Sequence, residues 1–121
     1  MKLEYKKIKV PIYKRVIKLA ILEDLNKIND LHYIDERDFS NNDAVVVSEE
    51  KPHIYLASDL LEQSKIYIIS VLSHEAIHLT HNILHSVGVV ASFENDEAVA
   101  YLQEFIMVEL LKKLKNHIKL N

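Results

Sequence analysis

The sequence predicts an α+β domain: a small β-sheet packed against one central helix, followed by a C-terminal helix. Three observations carry this reading. Apolar and polar residues alternate over residues 5–13 and again over 15–22, the period of strands. A strongly apolar run begins near residue 65 and continues to Gly88, too long for a strand. Near the end, Ala98, Tyr101, Leu102, Phe105, Ile106, Leu110 and Leu114 recur at helical spacing. A chain of 121 residues with 49% hydrophobic content supports one modest core, so residues 1–121 read as a single domain.

In the first strand Ile8, Val10 and Ile12 alternate with Lys7 and Lys9, and Pro11 pushes the segment towards a sheet edge or a strand end. Residues 15–22 continue as strand, although Ile17, Leu19 and Ile21 also fit the start of a helix. Leu25, Ile28 and Leu31 then recur at helical spacing, which predicts a helix over 23–31. His32 and Tyr33 leave that helix, and His32 reads as an exposed end or a partner of the helix dipole. Residues 35–43 are polar and include Asn41-Asn42-Asp43, a loop. Two short β-rich segments follow, 44–48 and 53–57, with Glu49-Glu50-Lys51-Pro52 as their hairpin connection and His53 as a surface residue.

Asp59 or Ser64 can cap the central helix, and Gly88 is placed to end it. Its apolar positions cover most of the circumference, which predicts a buried helix. Residues 89–93 read as extended. A last helix spans about 95–117, capped by Asn95 or Asp96, with Lys112, Lys113 and Lys115 at its negative end.

Composition narrows the function. The net charge of −3 supplies no field for nucleic acid. The basic run Lys2, Lys6, Lys7, Lys9, Lys14, Arg15 and Lys18 reads as a solvated strand face. Without cysteine there is neither a disulfide framework nor a thiolate metal site. No apolar leader and no membrane-length stretch is present, so the expectation is a soluble, cytoplasmic protein with neither nucleic acid nor membrane as partner.

The chemistry concentrates in Ser73-His74-Glu75-Ala76-Ile77-His78, which contains H-E-x-x-H. On a helix, residues four apart share one face, so His74 and His78 can bind the same zinc ion. Glu75 sits beside that metal, where a carboxylate can accept a proton from metal-bound water. Chance placement gives roughly 0.04 such matches in a chain of this composition. His81 and His85 extend the same helical row, and a helix burying four imidazoles without partners would be costly. A third ligand is needed: Glu97 lies 19 positions after His78, with Glu94 and His81 as alternatives. Asp96 can orient a histidine, and Tyr101 reads as a core residue.

With Glu97 included the pattern is H-E-x-x-H-x18-E, and the chain resembles the gluzincin branch of zincin metallopeptidases. The run Asp96-Glu97-Ala98-Val99-Ala100-Tyr101 after an H-E-x-x-H helix is also similar to small phage-encoded proteins regarded as minimal zinc peptidases. The resemblance covers residues 72–105. It implies a minimal zincin-like domain with His74, His78 and Glu97 as zinc ligands and Glu75 as the general base of peptide hydrolysis, and it makes Tyr101 a candidate stabiliser of the oxyanion. It further implies that the strand before the active-site helix, residues 54–57, forms the sheet edge along which a peptide substrate lies. The metzincin continuation is missing, since His81 and Leu84 occupy its glycine and third-histidine positions. The competing reading is a non-catalytic, phage-type metal-binding protein acting as an interaction or inhibitory partner, because so short a chain has little material for a substrate subdomain.

Overall fold

Backbone pairing in the computed structural model, which describes residues 3–34 and 36–118, builds one mixed sheet of four strands. Lys2 and Asp35 lie outside the described residues. β1 (Lys6–Val10) and β2 (Arg15–Leu22) form an antiparallel hairpin whose turn begins at Pro11 and places Lys14 at φ 52°. β3 (Ala44–Val47) and β4 (His53–Ala57) form a second antiparallel hairpin. β4 pairs parallel with β2, giving the order β1-β2-β4-β3. β1 is an edge strand, as Pro11 foretold.

The expected edge is corrected here. Residues 54–57 belong to β4, an inner strand whose Ile54, Tyr55 and Leu56 are wholly buried, and the edge beside the central helix is β3. The reason is the hairpin: folding β3 back on β4 satisfies one side of β4, and β2 takes the other.

Strand alternation divides the core between the two faces of the sheet. Ile8, Val10, Ile17, Leu19, Ala44, Ile54 and Leu56 face the long helices. Ala20, Leu22 and Tyr55 face the other way, where Leu25, Ile28 and Phe39 cover them. Those covering residues come from a short 3-10 turn (Leu25–Lys27), helix α1 (Ile28–His32) and the loop after it, so the predicted helix over 23–31 is broken into two short pieces. Tyr33 then takes a left-handed conformation, φ 53°, and ends α1.

Helix α2 (Lys65–Ser86) starts at Ser64, whose Oγ accepts the Tyr67 backbone N–H at 3.2 Å. It stops where Gly88 turns left-handed at φ 78°. Arg15 Nε donates to Ser86 Oγ (3.0 Å) and Nη2 to the Ser86 carbonyl (3.3 Å), placing a cation at the helix C-terminus. Helix α3 (Asp96–Leu114) packs against α2 and reaches β1. Leu102, Ile106, Leu110 and Leu114 form its buried stripe. Asn95 precedes α3 without capping it through its side chain, which instead donates to the Val90 carbonyl at 2.7 Å. Among the described residues, no helix is long and apolar enough to cross a membrane.

Candidate metal centre

The H-E-x-x-H segment lies in the middle of α2, where the helix packs along β3. Contrary to the expectation of a buried helix, α2 has a closed face and an open one. Leu72, Ala76, Leu79 and Ile83 are fully buried, whereas His74, His78, His81 and His85 are all exposed. His74 precedes Leu79 by five positions, about 140° round the helix axis, so the histidine row looks away from the core. Apolar residues also occur on this outward side, Ile66 (83% exposed) and Tyr67 among them, which is why the pattern suggested burial all round.

On that open face the two motif histidines are already paired. Their Nε2 atoms stand 3.3 Å apart, with ring centroids 5.1 Å apart and the planes inclined at 68°. A zinc ion with bonds of about 2.05 Å in a tetrahedral arrangement holds its ligand nitrogens about 3.3 Å apart. The donor atoms therefore fit one zinc as two of its ligands. Imidazole nitrogen is also a donor type that zinc accepts readily.

Glu75 differs from its neighbours. It is only 9% exposed, and no described residue hydrogen-bonds its carboxyl group. Burial pushes its pKa up, partly offset by the positive charge that His74 can carry. The carboxyl group and His74 border an open cleft of about 350 Å³ between α2 and the start of β3, lined also by Asn41, Asn42, Asp43 and Ser70. Tyr67 Oη donates to Asp43 Oδ2, and the Asp43 carbonyl accepts the Ala57 N–H at 2.9 Å. The wall of the cleft is thus tied to both the helix and the sheet.

The remaining site candidates are not gathered at this pair. Glu97 is exposed in the first turn of α3. It precedes the fully buried Ile106 by nine positions, about 180°, and so projects away from the face that packs on α2. Glu94 and Asp96 are likewise exposed. Tyr101 is 67% exposed and borders a separate apolar cavity of about 360 Å³ formed by α3 and the β1–β2 turn. Among the described residues, no third His, Asp or Glu is positioned to complete a metal set with His74 and His78.

Two histidines read as surface groups are corrected. His53 is buried in β4, stacked on Tyr55 and in edge contact with His32 at 4.6 Å between centroids. The His32 side chain is only 6% exposed. With Glu49 they form the group of three metal-competent residues whose donor atoms lie within 4.8 Å of one another. One signal for this was legible: His53 and Tyr55 share a strand face by period 2. Nothing in the spacing connects His32 to them.

Fold and site together define an α+β domain with a histidine pair and a half-enclosed carboxylate on one turn of a helix, beside a sheet edge. No family model matches the chain, and no curated protein or solved structure does either.

Proposed function

We propose that the chain is a zinc-dependent hydrolase, a small metallopeptidase in which His74 and His78 hold the metal and Glu75 moves the proton. The observation carrying this reading is the 3.3 Å separation of the two Nε2 atoms, with Glu75 on the same helical turn. Zinc bound there would supply Lewis acidity, lowering the pKa of water and polarising a carbonyl. The Glu75 carboxylate accepts a proton from the attacking water and passes it to the leaving amine. Its burial raises its proton affinity, which suits that role. An extended peptide pairs with the free side of β3, whose first residue, Ala44, lines the cleft. Glu97 keeps the third-ligand role that the resemblance to gluzincins gives it. Filling that role requires the connection from 87 to 95 to rearrange so that the first turn of α3 meets His78.

One observation favours the non-catalytic alternative: the histidine row is open to solvent, as a surface used for docking would be. Peptide-library hydrolysis read by mass spectrometry separates the two. Wild type and Glu75→Gln are loaded with zinc and compared. Turnover lost in the variant, with zinc content unchanged, supports the peptidase. A zinc-loaded wild type that cleaves nothing supports the binding protein.

A further inference from the structure

On the opposite face of the sheet from α2, three elements bring their chemistry to one point. His32 is the last residue of α1, Glu49 belongs to the β3–β4 connection, and His53 opens β4. His32 Nδ1 donates to Glu49 Oε1 at 2.7 Å, and His32 Nε2 meets the Tyr55 hydroxyl at 2.6 Å. The Tyr55 hydroxyl in turn meets that of Tyr5 at 2.9 Å. His53 stands outside this chain: its Nδ1 is buried and makes no hydrogen bond of normal geometry among the described residues, although the Lys51 backbone lies near enough to act on the ring.

We propose that His32, Glu49 and His53 form a second metal site, which takes a zinc-type divalent ion and clips α1 and the β3–β4 connection onto the sheet. Two imidazoles and one carboxylate are a ligand set suited to zinc, and their donor atoms already lie within 4.8 Å of one another. Zinc ligands stand about 3.3 Å apart, so the ion widens the 2.7 Å His32–Glu49 contact while the other separations close. Glu49 has the freedom for this, its side chain being 43% exposed, and the same exposure leaves an entry path.

The tyrosines complete the arrangement. Ligating histidines donate their second ring N–H to a fixed acceptor. When the ion takes Nδ1 of a neutral His32, the ring proton moves to Nε2 and no net proton is released. Nε2–H then donates to the Tyr55 oxygen, and the Tyr55 O–H turns to Tyr5, a reversal that the 2.9 Å contact accepts because either hydroxyl can donate. Tyr55 is wholly buried and holds this geometry in place.

This site is independent of the H-E-x-x-H pair, and the experiment keeps the two apart. Zinc chloride is titrated calorimetrically into the full-length His74→Ala/His78→Ala protein, and again after adding Glu49→Gln or His32→Gln. Circular dichroism checks the fold. The expected result is one saturable site in the double variant, weakened at least tenfold by either addition. The ring ¹⁵N resonances of His32 and His53 move together as zinc is added, a change that a purely structural hydrogen-bond role would not produce. A natively folded double variant that binds no zinc overturns the proposal. So does binding that survives Glu49→Gln and leaves both rings unmoved.

Discussion

Replacing Glu75 by Gln should stabilise the metal-free protein, because burial strips hydration from the carboxylate and disfavours its charged form. Its side chain is 9% exposed, beside the cleft lined by Ala44, Ser70 and Val71, without a hydrogen-bond partner among the described residues. Only the neighbouring His74 offsets the loss of hydration. Glutamine keeps the volume and removes the charge. The amide is as unpaired as the carboxyl group, so only the extra cost of burying the charge is relieved, about 1 kcal/mol for a group that borders an open cleft. At about 2.1 cal/mol/K per residue, the 121-residue chain has an unfolding entropy of about 0.25 kcal/mol/K, so a gain of about 1 kcal/mol raises Tm by about 4 °C. The pH dependence has a definite sign. Burial raises the folded-state pKa, so the folded protein holds the Glu75 proton to higher pH than the unfolded chain does. Wild-type stability therefore falls, relative to the variant, as pH rises from the unfolded carboxyl value through the raised folded one. The assay is urea denaturation of both proteins with chelator, at several pH values between 4.5 and 8. A variant no more stable than wild type at pH 8, or an advantage that does not shrink towards pH 4.5, would refute the reasoning.

Other predictions test the frame around the site. Leu79→Ala removes a fully buried side chain between α2 and the sheet, and should cost about 3 kcal/mol, seen as a fall of roughly 12 °C in Tm by calorimetry. Tyr55→Phe removes a buried hydroxyl shared with Tyr5 and His32, leaves His32 Nε2 without its partner, and should cost about 1–2 kcal/mol in urea denaturation. Gly88→Ala meets no atom within 4 Å, so its cost comes from the φ of 78° alone: about 1 kcal/mol, and less for Gly88→Asn, by the same method.

β1 is legible from the alternation of Ile8 and Val10 with Lys7 and Lys9, and the β3–β4 hairpin from two β-rich runs flanking Glu49-Glu50-Lys51-Pro52, whereas the alternation in β2 also fits the start of a helix. Local chemistry likewise fixed α2 between Ser64 and Gly88. Sheet order was not local. It depends on β4 pairing in parallel with β2 across the α1 region, which no single segment encodes, and the zincin resemblance that implies an edge at 54–57 does not supply it. The apolar pattern of α2 predicts burial all round, but Ile66 and Tyr67 are apolar yet exposed, and hydrophobicity alone does not say which face meets the core. The i, i+4 pairing of His74 and His78 is a property of one helix and was fully legible. The place of Glu97 depends on how α3 is rotated, and Ile106 and its stripe turn Glu97 outward. The cluster of His32, Glu49 and His53 joins three separate elements through the tertiary fold, beyond the reach of any periodicity.

The central claim is that His74 and His78 hold zinc. The most direct measurement is elemental analysis of zinc per chain for wild type and His74→Ala/His78→Ala, each loaded with zinc and freed of excess by gel filtration. One more zinc is expected in wild type than in the variant, whatever the His32 cluster retains. Equal zinc in the two proteins would contradict it.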